Sequence, residues 1–187
     1  MEFQSIKKVH EGKFICRYDV SYKTVDGKDK IYEMISRDHN LDSFSKLNEK
    51  KTDAVVIIMH DEENKKILLN KEFRMPAGTW VYNFPAGLIE NGEDVAQSAA
   101  RELKEETGLD IVRVDDILAD SFSAIGFSNE KNQCVIGVAS GHFAPSTSTF
   151  EEISAAWYTK EEILKLLKTE YFAGRTQAYC YMWAKCN

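Results

Sequence analysis

Phe14, Cys16, Tyr18, Val20 and Tyr22 alternate with more polar neighbours. A period of two marks a strand with one buried face. Asp26-Gly27 then supplies a hairpin turn, and Ile31 to Ile35 can return as the partner strand. The pattern predicts a small antiparallel sheet up to about Asn48. Such a sheet is marginal alone, so the rest of the chain or a second copy must cover it. A polar connector, Asp38 to Asp53, leads to Ala54-Val-Val-Ile-Ile-Met59, which is apolar on both faces and reads as a central strand. Asp61 to Asn64 is a turn, Lys66 to Phe73 a further strand, and Trp80 to Phe84 a short one that delivers the chain to Pro85-Ala86-Gly87. Strand-like stretches recur near Ile111–Leu118 and Cys134–Phe143.

Helical spacing begins after Gly87. Val95, Ala99 and Leu103 fall on one face, with Ala96 and Ala100 beside them. Asn91 and Glu93 stand where this helix would begin, and Gly108 where it would end in a left-handed turn. Thr159-Lys-Glu-Glu162 is a capping-box pattern ahead of Ile163, Leu166 and Leu167, and a last helix is expected from about Thr176 to Lys185. Strands with few helices and no internal repeat predict an α+β or α/β sandwich with a mixed sheet.

Composition narrows the function classes. The 187 residues suffice for one substantial domain or one domain with a small appendage. A net charge of -6 argues against a nucleic-acid backbone as the main partner, so phosphate would have to be met by a local basic patch or a metal. No apolar run approaches membrane-spanning length, and the N-terminus lacks a secretory core. Cys16, Cys134, Cys180 and Cys186 form no C-x-x-C pair and are expected as reduced thiols in a cytoplasmic protein. His10, His39, His60 and His142 are scattered and read as structural or surface residues, without a zinc site.

The chemistry concentrates in Gly87–Leu109, GLIENGEDVAQSAARELKEETGL. At about 100° per residue, Glu102 and Glu106 project roughly 40° apart, with Glu105 in the same arc. Three carboxylates so close repel one another unless a cation or protons intervene. Hard oxygen donors on a rigid helix suit magnesium, which keeps several waters and takes further ligands from substrate phosphates.

Gly87, Glu93, Arg101, Glu102, Leu103, Glu105, Glu106, Gly108 and Leu109 fill every defining position of a motif: the segment resembles the Nudix box. The likeness extends from about Phe14 to the C-terminus. Lys71-Glu-Phe-Arg74, Trp80, Phe84-Pro-Ala-Gly87, Gly126-Phe-Ser-Asn-Glu130 and Gly174-Arg-Thr-Gln177 are similar to segments of the ADP-ribose pyrophosphatase subfamily. The resemblance implies an α/β/α sandwich at 49–187 and an N-terminal dimerisation hairpin at 1–48. It implies metal-dependent hydrolysis of a nucleoside diphosphate-sugar, ADP-ribose to AMP and ribose 5-phosphate, with Mg2+ or Mn2+ as cofactor.

The resemblance also assigns roles. Glu102, Glu105, Glu106 and the carbonyl of Ala86 would hold the metal, with Gly87 turning the strand to expose that oxygen. Glu130 is the general base, Glu105 the alternative. Arg74, Arg37 and Phe127 (or Tyr82, stacking on a base) would bind substrate. Glu93 and Arg101 would brace the carboxylates through a bidentate contact. Trp157 and Trp183 read as packing. ADP-ribose enzymes of this family usually carry a proline about sixteen residues past the box, whereas this chain has Ile125 near that place and no proline between Ser121 and Asn129. Another nucleotide sugar or a dinucleotide is therefore the alternative substrate, and a non-hydrolysing sensor the alternative class.

Overall fold

The structure is a computed structural model that describes residues 1–48, 51–147 and 152–186. Its elements, in chain order, are β1 (Glu2–Glu11), β2 (Cys16–Lys23), β3 (Asp29–Ser36), α1 (Phe44–Leu47), β4 (Ala54–His60), β5 (Lys66–Arg74), β6 (Thr79–Asn83) and β7 (Ala86–Leu88), then α2 (Val95–Thr107), β8 (Asp110–Ile117), β9 (Ser121–Phe122), β10 (Lys131–Ser140), β11 (Ile153–Thr159), α3 (Lys160–Thr169) and α4 (Gly174–Lys185). They form two compact units, 1–53 with 120–132, and 54–119 with 133–187. The expected boundary between 48 and 49 adjoins residues 49 and 50, which lie outside the described residues.

The first unit is built on a three-stranded antiparallel sheet in the order β1-β2-β3. Its core is Cys16, Tyr18, Val20, Met34 and Leu41. The Tyr18 hydroxyl donates to the Asp38 carbonyl at 2.7 Å, which keeps that polar tip satisfied. Phe14, expected on the buried face, is exposed, because β2 begins only at Cys16. The first strand, β1, escaped the sequence pattern. Register shifts after Phe3 and Lys8 break its alternation, and only Phe3 and Ile6 reach the core. Segment 120–132 joins this unit: Ile35 donates to the Phe127 carbonyl at 2.8 Å, and the Tyr32 hydroxyl to the Gly126 carbonyl.

In the second unit the sheet runs β11-β5-β4-β10-β8, with β6 on β5 and β7 on β4. Apolar residues on both faces make β4 the centre. Val55, Ile57 and Met59 pack with Ala99 and Leu103 of α2. Val56 and Ile58 pack on the other face with Ile163 of α3 and Cys180 and Ala184 of α4. The result is a helix–sheet–helix sandwich, within the expected mixed α+β class. Full burial of a side chain such as Leu103 contributes about 1.5–3 kcal/mol.

Helix α2 starts at an Asp94 cap, closed by a reciprocal capping box with Gln97, rather than at Asn91 or Glu93. It ends at Gly108, φ 80°, whose N–H donates to the Lys104 carbonyl at 2.9 Å. Ala96 and Ala100 are exposed; Ser98, Glu106 and Thr107 are buried instead, so the inward stripe is partly polar. Thr159 and Glu162 form the expected capping box of α3. In the second unit two strands lacked a sequence signal: β7 is three residues long, and β11 holds Ala155 and Ala156, weak strand formers. Strand β10 begins at Lys131, three residues before the expected Cys134. Among the described residues no helix is long and apolar enough to cross a membrane.

Candidate metal and phosphate site

Helix α2 packs against β7 and β4, and its Glu106 is hydrogen-bonded by Asn70 of β5. β7 pairs with β4, Ala86 opposite Val56 and Gly87 opposite Val55, which fixes the backbone of Ala86-Gly87 beside the helix. The Glu102 carboxyl lies against Gly87. A Cβ at Gly87 would overlap its Cδ and both oxygens, so glycine is required by the close approach of that carboxylate.

Arg101 organises the acidic groups. Its Nε and Nη2 donate to the two oxygens of Glu93 at 2.8 and 2.9 Å, a bidentate fork. Nη1 donates to Glu102 Oε1 at 2.8 Å and to Glu105 Oε2 at 3.5 Å, and Nη2 also reaches the Leu88 carbonyl at 3.0 Å. One guanidinium thus ties α2 to β7 and to the turn before the helix. Glu93 also accepts from the Ser98 hydroxyl at 2.6 Å. Hydrogen bonds from Arg101 and then Ser98 hold the Glu93 carboxyl at about pKa 2. Hydrogen bonds to Glu93 and then Glu102 raise the Arg101 guanidinium further above its ordinary value.

Glu106 is held differently. It is 8% exposed, and Asn70 Nδ2 donates to its Oε2 at 2.7 Å. Asn70 follows Leu69 on β5, and the alternation that turns Leu68 toward α2 turns Asn70 the same way. Its partner atom Oδ1 is buried with no hydrogen-bond partner among the described residues. Glu105 is about half exposed at its side chain, so the three glutamates form a graded series from solvent to core.

The donor set is all oxygen: carboxylates of Glu102, Glu105 and Glu106, with the backbone at Ala86-Gly87 alongside. Arg101 is shared among three carboxylates, so the group keeps a net negative charge. Hard anionic donors on a rigid helix, with one carboxylate seated in a glycine cradle, fit Mg2+ or Mn2+. In the first unit, Glu11, Cys16 and His39 bring donor atoms within 4.8 Å of one another, but the Lys8 ammonium already sits 2.6 Å from Glu11.

The remaining residues expected at the site fall into separate groups. Arg37 and Glu130, both in the first unit, pair with each other, Nε to Oε2 at 2.6 Å. Phe127 is 56% exposed in the same unit. Arg74 ends β5, its guanidinium 3.6 Å from Glu72. Tyr82 is buried between Tyr158 and Phe172, with ring centroids at 5.7 and 5.2 Å, and serves packing. Trp157 packs against the α2-side core and Trp183 against the other, as expected. The sequence reading missed Asn70 and Ser98. A polar residue closing the run Ile67-Leu68-Leu69 was the signal for Asn70.

Comparison with known proteins shows the family and the fold. The family model for the NUDIX domain matches residues 50–179. The chain is 31% identical over 145 residues to an ADP-ribose pyrophosphatase of Saccharomyces cerevisiae, covering 74% of this chain and 58% of that protein. It is 33% identical over 103 residues to an ADP-sugar pyrophosphatase of Mus musculus, covering 54% and 44%. The chain thus spans about half the length of these curated relatives. The crystal structure of an ADP compounds hydrolase superposes with a TM-score of 0.72 at 16% identity, covering 99% of this chain and 93% of that one, which shows the fold. With its box residues gathered on one helix against a glycine-bearing strand, the chain belongs to the NUDIX family.

Proposed function

We propose that this protein is a metal-dependent hydrolase of a nucleoside diphosphate-sugar, cleaving ADP-ribose to AMP and ribose 5-phosphate. The observation that carries the reading is the set of glutamates on α2, with Glu102 seated against Gly87 and braced by Arg101. The named relatives act on ADP-ribose or ADP-sugars, which supports the substrate class. Glu102, Glu105, Glu106 and the Ala86 carbonyl are the proposed ligands of Mg2+ or Mn2+. A cation held there would supply a Lewis acid for diphosphate oxygens and ease deprotonation of water. Arg101 and Glu93 keep the carboxylates in place, so little reorganisation is needed when charge builds up at phosphorus. Glu130 is the proposed general base, with its proton acceptor oxygens steadied by Arg37; Glu105 is the alternative. Arg74, Arg37 and Phe127 are the proposed substrate contacts.

The test is product analysis with Mg2+ in oxygen-18 water across ADP-ribose, other nucleotide sugars and dinucleotides. AMP from ADP-ribose is the expected product. Cleavage of a different nucleotide sugar alone would keep the chemistry and move the substrate, the second reading favoured by Ile125 in place of proline. Tight binding of every compound without turnover would leave a sensor.

The N-terminal sheet exposes Val9, Ile31 and Tyr32. We propose a homodimer formed through this sheet, to be checked by light scattering at micromolar concentration.

A further inference from the structure

Burying an amide in a strand between apolar layers is costly unless both of its ends are satisfied. An unpaired buried acceptor costs about 1–3 kcal/mol. Asn70 is 1% exposed, and its Oδ1 has no hydrogen-bond partner among the described residues. A β-branched residue of similar size would suit the strand better, so packing does not account for the amide. Its side-chain partner among the described residues does: Nδ2 donates to Glu106 Oε2 at 2.7 Å. The donor is neutral. It orients the carboxylate and lowers the cost of burying it without cancelling its charge. Glu102 accepts from the Arg101 guanidinium. A cation ligand needs both properties, a fixed direction and an intact negative charge.

We infer that Asn70 is a positioning residue for Glu106, holding that carboxylate in a ligating orientation and thereby setting the affinity of the site for its divalent ion. The inference rests on the metal-site reading above. Asn70 touches neither substrate nor cation; it acts through Glu106.

The test is Mn2+ titration followed by electron paramagnetic resonance, which reports bound ion directly, on wild type, Asn70→Val, Glu106→Gln and the double variant. Near-ultraviolet circular dichroism checks the fold of each. Asn70→Val is expected to weaken Mn2+ binding about 10- to 100-fold. Glu106→Gln should weaken it at least as much. If the two residues act as one unit, adding Asn70→Val to Glu106→Gln should cost less than about twofold more. Should the valine not fold, Asn70→Ser, which is smaller and too short to reach Glu106 in the same way, takes its place in the same cycle. Wild-type Mn2+ affinity in Asn70→Val, with Glu106→Gln impaired, overturns the role of Asn70 alone. Full additivity of the two losses does the same. Wild-type affinity in Glu106→Gln overturns the metal assignment beneath it.

Discussion

The two sheets of this molecule solve the burial problem in opposite ways. In the central sheet β4 is covered on both faces, so every residue from Val55 to Met59 is in the core and α2 is held on it as a rigid bar. In the three-stranded sheet one face holds a small core, Cys16, Tyr18, Val20, Met34 and Leu41, while Ile31 and Tyr32 stay exposed. The contrast suggests a division of labour. Chemistry that needs side chains fixed to a fraction of an ångström is placed on the element anchored by the deeper core. The three-stranded sheet leaves apolar side chains in solvent, and these are the surface of the proposed homodimer.

The largest effect should come from Glu106→Gln. Removing an anionic ligand while keeping the amide's shape should lower turnover at least about 100-fold with the melting temperature nearly unchanged. Steady-state kinetics with Mg2+, alongside a thermal melt, checks both halves. Near-normal turnover would mean that α2 is a scaffold only. Next comes Gly87→Ala. The added methyl must displace the Glu102 carboxyl, and a misplacement on that scale costs about 10- to 100-fold in rate. Leu103→Ala tests the anchor itself. It should cost about 2–5 kcal/mol by chemical denaturation. A loss below about 1 kcal/mol would show that the deep core does not hold the helix.

Acid sharpens the comparison further. Glu93 has its pKa depressed from 4.5 to about 2. A depressed carboxylate stabilises fully above the unfolded value and loses that stabilisation as pH falls through the folded one. The Glu93–Arg101 contribution should therefore be intact above pH 4.5 and disappear toward pH 2. The difference in stability between wild type and Glu93→Gln should shrink across that window. A constant difference over the same range would show that the ion pair contributes nothing. The smallest effect on the single chain is expected from Ile31→Lys, within about ±0.5 kcal/mol. Its consequence should appear in light scattering, as loss of the proposed dimer.

Legibility in the sequence followed the same divide. The unbroken apolar run of β4 and the box helix with its Gly108 stop could be read directly, because burial on two faces or at helical spacing leaves a periodic trace. Strand β1 could not, since its two register shifts scatter Phe3 and Ile6 out of phase. Ala96 and Ala100 were misplaced for a related reason. Apolar residues mark a stripe only approximately, and α2 gives part of its inward face to Ser98 and Glu106, whose partners Glu93 and Asn70 are visible only in three dimensions. The chemistry-bearing positions were legible as a motif. The amide that orients one of them was not, because it lies 36 residues away on another element.

Leu103 and the residues it separates, Glu102 and Glu106, occupy barely more than one turn of α2. A single rigid segment is therefore both keystone and tool. Screens that score only catalytic output will confuse a loosened keystone with a blunted tool. A library selected for heat tolerance around this turn would sort the two only if each survivor were also weighed for the ion it retains.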